Sequence, residues 1–245
     1  MQVRIEGCVA LVTGANRGLG AAFGRLLLER GAKKVYAGAR DPGAVAAREG
    51  FEAVRLDITD PGQVSEAARR CTDLTLVVNN AGVLAESPLL AAPSMKGARD
   101  EMEVNYFGTL AMCRAFAPIL ARNGGGGIVN VLSIASFYAN PAMGSYAASK
   151  AAAWALTNAV RVELRRQGTQ VVAVHSGYVD TDMTVNVTAP KASPDAVVNA
   201  ALDALEAGAE EVLADERTRQ VKASLPTDLE SIYPEVQRAW DQRPE

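Results

Sequence analysis

"CVALVTGANRGLG", residues 8–20, runs from an apolar stretch through three spaced glycines into "LGAAFGRLLLER" (19–30). The first part, "CVALVT" (8–13), has the composition of a buried strand. The last part places leucines and alanines at helical spacing and is closed by Gly31, which suits a C-cap. Between them Gly14, Gly18 and Gly20 permit a tight turn and let the backbone approach an anion. The N–H groups and positive dipole at the start of the following helix favour negative charge there. A glycine pattern by itself marks only a tight turn; the strand–turn–helix context gives it meaning.

The same alternation continues along the chain. Strands are expected at 34–38, 52–56, 74–79, 127–132, 169–174 and 210–214. Helices are expected at 61–70, at 94–122 as one long helix, at about 145–166 and at 193–207. A short helix is expected after Asp41 and another in the tail from Thr227. Pro61 after Asp60 and the "SPD" at 193–195 are helix starts, each with a capping side chain followed by proline at a first-turn position. Strands this apolar are buried on both faces, as in a parallel sheet. The expectation is one α/β domain over 1–245: a doubly wound, Rossmann-type, seven-stranded and mostly parallel sheet with helices on both faces. No linker divides the chain, and the glycine run 124–127 is a tight connection into the fifth strand.

Composition excludes several classes. The chain has 245 residues, is 49% apolar and 22% charged, and carries a formal net charge of −3, so no basic nucleic-acid footprint exists. Cys8, Cys71 and Cys113 form neither a metal spacing nor a redox pair and read as core residues in a cytoplasmic, reducing setting. No metal site is expected. Residues 1–7 lack a signal-peptide h-region, and the longest uncharged run, 123–149, is interrupted by glycines, Asn130, Ser133, Asn140 and Pro141, so no membrane span is expected.

A dinucleotide site of this kind places an acid about 20 residues beyond the last glycine, on the ribose 2′-OH. Here that position holds Arg40, after Ala39. A guanidinium suits a 2′-phosphate, and Arg17 inside the turn adds a second cation, which favours NADP(H) over NAD(H). The alternative is that both arginines are solvated surface charges. Asp41 reads as the N-cap before Pro42 rather than as the ribose acid.

With these segments in order, the chain resembles the short-chain dehydrogenase/reductase family over nearly its whole length. "TGANRGLG" (13–20) is similar to the family's glycine turn, "LDIT" (56–59) to its adenine-contacting segment, and "NNAG" (79–82) to the motif after the fourth strand. "YAASK" (146–150) matches its Tyr-x-x-x-Lys, and Asn105, Ser133, Tyr146 and Lys150 fall where its catalytic tetrad falls. The resemblance implies cofactor contacts from Gly14, Asn16, Arg17, Gly18, Leu19 and Gly20, from Arg40, Asp57 and Ile58, and from Asn79, Ala81 and Gly82. It implies further contacts from Tyr146 and Lys150, and from Gly177, Val179 and Thr181 in "HSGYVDT" (175–181), where Ser176 replaces the family's usual proline. That replacement leaves the stiffness of the loop open. His175 reads as a strand-end residue rather than a base.

The chemistry of the residues agrees. Tyr146 and Lys150 share a helical face. A nearby cation favours a phenolate, but moving a tyrosine from ~10 to ~7 takes about 4 kcal/mol, which is large for one partly solvated charge. Cofactor state is therefore expected to matter. Ser133, past the fifth strand, can donate to an oxygen on which charge develops. The resemblance implies that Asn105 holds a water relaying protons to Lys150. The resulting expectation is reversible, NADPH-dependent reduction of a ketone or aldehyde. The alternatives are an NAD-linked alcohol dehydrogenase of the same family and a non-catalytic dinucleotide-binding sensor or scaffold. The substrate wall is assigned to 84–88, 134–143, Tyr178 and a small substrate-binding segment at about 182–192 that can act as a lid. No basic residue stands out in that wall, so a neutral, apolar carbonyl or alcohol is expected. A homodimer or homotetramer built on the helix at 145–166 and its predecessor is implied by the resemblance.

Overall fold

The computed structural model of the chain describes residues 2–86 and 88–242. Met1, Ser87 of the expected substrate wall and residues 243–245 lie outside the described residues. Among the described residues, seven strands form one sheet: β1 (Val9–Thr13), β2 (Lys34–Ala39), β3 (Phe51–Arg55), β4 (Leu76–Asn79), β5 (Gly126–Val131), β6 (Thr169–His175) and β7 (Glu211–Leu213). Their spatial order is β3-β2-β1-β4-β5-β6-β7, and every pairing is parallel.

The period of two along each strand sorts side chains onto two faces. From β1, Ala10 and Val12 face one layer while Val9 and Leu11 face the other. The first layer is covered by α1 (Gly18–Glu29) and α6 (Pro194–Ala207), through Phe23, Leu27, Val198, Leu202 and Leu205. The second is covered by α2 (Pro61–Arg70), α4 (Thr109–Arg122) and α5 (Gly144–Leu164), through Val64, Met112, Phe116, Leu120, Leu156 and Val160. With both faces covered, the sheet is doubly wound, and its direction of winding reverses between β1 and β4. Ligands of such sheets bind beyond the strand C-termini at that reversal.

Two departures from the sequence reading bear on the site. The helix expected over 94–122 is three pieces: α3 (Lys96–Met102), a π-helical turn over Glu103–Gly108, and α4. The π turn carries Asn105, whose carbonyl accepts from the Thr109 hydroxyl at 2.9 Å instead of standing only in the helical ladder. Beyond β7 the chain forms α7 (Glu216–Ala223), absent from the sequence reading, then α8 (Asp228–Ser231) and α9 (Tyr233–Asp241) where one short helix was expected. Asp215 caps α7 by accepting from Thr218 N at 2.9 Å. Among the described residues, no helix is long and apolar enough to cross a membrane.

Candidate active site

The glycine turn is built as an anion cradle. Gly14 and Gly18 have φ of +65° and +52°, the left-handed region that favours glycine. Gly20 serves packing: a Cβ there would stand 2.1 Å from the Gly14 carbonyl oxygen. Asn80, which the sequence reading passed over, ties the turn down. Its Nδ2 donates to the Thr13 and Gly14 carbonyls at 2.9 and 3.3 Å, and its N–H donates to the Thr13 hydroxyl at 2.9 Å. Helix α1 begins with no side-chain cap and no acid in its first turn, so its leading N–H groups have only a ligand to serve. An anionic pyrophosphate fits this cradle.

Around the turn lies a cleft of about 780 Å³. Gly14, Asn16, Arg17, Gly18 and Leu19 border it at one side, with Arg40, Asp57 and Ile58 at the end of β2 and β3. Ala81 and Gly82 follow from β4, and Gly177, Val179 and Thr181 from β6. Ser133, Tyr146 and Lys150 border the same cleft. Gly20, Asn79 and Asn105 do not. Asn79 points into the core, where its Nδ2 donates to Asn130 Oδ1 at 2.8 Å, so Asn80 takes the place by the turn that "NNAG" suggested for its neighbour. At the far end, Arg55 donates to the Arg40 carbonyl at 3.0 Å, and the Asp57 carboxylate folds back onto Thr59. Asp41 caps the short turn that follows, accepting from Gly43 N at 3.0 Å. Arg17 meets Asp182 at 3.5 Å, an exposed pair worth little energetically but one that links the turn to the 182–192 segment.

Asn105 is a wall-builder. Its Oδ1 accepts from Val83 N and its Nδ2 donates to Val83 O, both at 2.9 Å, with a third bond to Ser149 Oγ at 2.9 Å. One turn earlier Glu101, fully buried, accepts from Ala85 N at 2.8 Å. Two helix side chains thus supply the N–H groups of alternate residues with acceptors, as a neighbouring strand would. Glu101 was not legible in sequence as a buried acceptor; only a carboxylate at a core-facing helical position hinted at it.

Tyr146 and Lys150 sit one turn apart at the start of α5. Tyr146 and Ser133 border the same cleft, and the Ser133 side chain acts on the phenol as a polar neighbour. Ser133 Oγ also accepts from Ala135 N at 3.1 Å. Lys150 Nζ donates to the Val131 carbonyl at 3.0 Å and lies 5.8 Å from the Tyr146 ring centroid. Burial pushes the Tyr146 phenol up to about 12; the Ser133 side chain opposes this and the Glu101 carboxylate adds to it. Burial also brings Lys150 down to about 8. The expected lowering of the phenol by Lys150 is therefore not what the free chain displays: burial dominates, and the lowering influence comes from Ser133. His175 stacks on Phe137 at 4.3 Å between centroids, faces the Ser133 carbonyl through Nδ1 at 3.2 Å, and is brought down to about 4 by burial, so it is neutral and no base.

The loop with Ser176 is fixed without proline. Ile134 N donates to the Ser176 carbonyl at 2.8 Å, and Gly177 N donates to Asp215 Oδ2 at 2.6 Å. Val179 and Ala192 form a parallel bridge that closes the 182–192 segment at its base. The substrate wall differs from expectation in charge. Lys191 borders the cleft, and α7 brings Arg217 to it. The capping signal "DERT" (215–218), an acid three residues before a threonine, was the one trace of α7 in the sequence. Among the described residues no cluster of metal-ligating side chains exists.

The family model for short chain dehydrogenase matches residues 8–192. A short chain dehydrogenase from Burkholderia cenocepacia J2315, solved in complex with NADP, is 47% identical with a TM-score of 0.91; the match covers 96% of this chain and 99% of that one. A short chain dehydrogenase/reductase from Burkholderia phymatum in complex with NAD is 25% identical, with a TM-score of 0.83 over 95% of this chain and 96% of that one. The 3-oxoacyl-(acyl-carrier-protein) reductase FabG of Vibrio cholerae is 31% identical over 190 residues, 74% of this chain and 78% of the relative. Sheet order, glycine turn and sequence agree: the chain is an oxidoreductase fold of the short-chain dehydrogenase family and belongs to that family.

Proposed function

We propose that the protein is an NADPH-dependent carbonyl reductase, running reversibly between ketone or aldehyde and alcohol. The observation that carries this reading is that Ser133, Tyr146 and Lys150 border the same cleft as the glycine turn. When bound, the nicotinamide cofactor supplies or accepts the hydride at carbon. Gly14, Asn16, Gly18 and Leu19 would hold its pyrophosphate side, Asp57, Ile58 and Ala81 its adenosine side, and Lys150, Gly177, Val179 and Thr181 its nicotinamide side. Ser133 donates to the substrate oxygen, and Tyr146 delivers the proton to it. Lys150 restores that proton through a water near Asn105; its ammonium and Asn105 Oδ1 flank Gly82, standing 3.5 and 3.1 Å from where a Cβ would be. A Cβ at position 82 would crowd that relay.

Arg40 and Arg17 support NADPH over NADH. Among the described residues Arg40 has no carboxylate partner, so its guanidinium is available for a 2′-phosphate, and relatives are known with either cofactor bound. Ala39→Asp combined with Arg40→Ala removes one charge-assisted contact and adds a ribose acceptor. The ratio of kcat/KM with NADPH to that with NADH should fall by about tenfold or more, the worth of one charged hydrogen bond. An unaltered ratio would mean that the 2′-phosphate is read elsewhere.

Two broader features belong to the same reading. A groove between α4 and α5, lined by Tyr106, Leu110, Leu156 and Leu164 and flanked by exposed Phe107 and Val162, supports a homodimer or homotetramer. Three free, buried cysteines support a cytoplasmic setting.

A further inference from the structure

Among the described residues, Arg217 is the cation of α7 without an acid partner. Its helix neighbours are matched: Arg219 meets Glu216 at 3.0 Å, and Lys222 is held by Glu211. Among the described residues, no carboxylate lies within ion-pairing distance of Arg217. Asp215, two positions away, is fully engaged elsewhere, accepting from Gly177 N, Thr218 N and the Thr218 hydroxyl. That engagement docks α7 against the loop expected to face the nicotinamide and carries Arg217 to the cleft wall. There its guanidinium borders the cleft together with Tyr138 and Tyr178, and its charge acts on the Tyr138 phenol. The Glu235 carboxylate of α9 also acts on that phenol and, among the described residues, forms no ion pair with Arg217. Burial raises the Tyr138 phenol, so it stays protonated and can donate.

Tyr138 belongs to the segment that continues from Ser133. The wall between Ser133 and Tyr138 is apolar, with Ile134, Ala135 and Met143. A second cation faces the cleft from the 182–192 segment: Lys191, whose side chain is 19% exposed and whose partner Asp180 stands at 3.7 Å. Reaction chemistry, an apolar wall, and a guanidinium without an ion-pair partner among the described residues beside a phenolic donor border one cleft and suit one class of molecule.

Within the carbonyl-reductase reading, we propose that Arg217 and Tyr138 form an anion subsite, and that the substrate is an oxo acid whose apolar spacer separates the reacting carbonyl from a carboxylate. The guanidinium fork matches both carboxylate oxygens, and the phenol supplies a further donor. The neutral substrate expected from sequence followed from a wall in which Arg217 had no place, because α7 was not legible. Arg217 acts here as a specificity-determining residue and takes no part in the proton or hydride transfer.

The test compares levulinate and its longer straight-chain homologues, each beside its methyl ester, with NADPH oxidation as the readout. For the spacer that fits, the acid should exceed its ester in kcat/KM by about tenfold or more, chiefly through KM. Arg217→Gln should collapse that preference, and Arg217→Lys should restore part of it. The Arg217→Gln chain should retain its NADPH affinity, which separates a lost subsite from a damaged fold. Reduction of esters and acids with equal efficiency overturns the anion subsite and leaves the carbonyl-reductase reading standing. Absence of reduction of every acid and every ester overturns both.

Discussion

Tyr146→Phe is expected to bind NADPH as the wild type does and to lose carbonyl reduction by about 10²–10⁴-fold, the usual contribution of a positioned proton donor. The substitution removes one hydroxyl and nothing else. That hydroxyl has Ser133 as its polar neighbour, and Ser133 is anchored by its own bond from Ala135 N at 3.1 Å. The ring sits at the start of α5, a 21-residue helix packed on the sheet, so loss of the oxygen leaves the backbone in place. Lys150 keeps its bond to the Val131 carbonyl and therefore its position on the cleft. Fluorescence titration of NADPH and single-turnover reduction separate binding from chemistry. Turnover equal to wild type in the variant would remove Tyr146 from the mechanism.

The second large effect concerns the glycine turn. Gly20→Ala places a Cβ 2.1 Å from the Gly14 carbonyl oxygen and 2.6 Å from Asn80 Nδ2. Neither neighbour is a flexible side-chain end: one is backbone and the other is Asn80, which clamps that backbone through two bonds. The turn and the start of α1 must separate. Overpacking of this kind costs about 1–3 kcal/mol, a Tm loss of about 2–10 °C in a chain this long. NADPH affinity should fall by about tenfold or more, because the cradle and the helix N-terminus lose their alignment. Gly43→Ala serves as the comparison, since its nearest neighbour would stand at 3.3 Å from the new Cβ. Equal Tm and equal NADPH affinity in the two variants would contradict the packing role given to Gly20.

The strand–helix alternation was legible because buried parallel strands are apolar throughout and their helices keep a 3.6 period. The turn at 13–20 was legible because glycine spacing reflects backbone need directly. What escaped detection had weak local signals. Helix α7 is polar on nearly all sides, so periodicity gave no trace, and only the Asp215–Thr218 cap marked its start. The π turn at Glu103–Gly108 inserts into a continuous helical pattern, and what sustains it is tertiary: Asn105 bonds Val83, 22 residues away in sequence. Asn79 and Asn80 could not be told apart by motif, since which of two adjacent residues faces the turn depends on where β4 ends. The charge of the substrate wall followed the fate of α7. The proton chemistry was legible in outline but not in direction, because desolvation is a property of the closed cleft and not of the pair of residues.

That direction bears on the central claim, that surroundings convert the Tyr146 phenol into a working acid–base group. The free chain holds it at about 12. Reaching ~7 from there takes about 7 kcal/mol at about 1.36 per pH unit. Lys150 Nζ lies 5.8 Å from the ring centroid, and a full cation at about 6 Å from the phenolate supplies about 3 kcal/mol at an effective dielectric of about 20. Lys150, itself brought to about 8, loses that charge as the pH rises, so the two groups titrate as a coupled pair. The rest must come with the positively charged oxidised nicotinamide. The direct measurement is the phenolate absorbance of wild type minus Tyr146→Phe, followed against pH with and without saturating NADP⁺. Without NADP⁺, no Tyr146 phenolate should form below a pH of about 10; with it, the transition should move down by about two pH units or more. A transition unmoved by NADP⁺ would contradict the account.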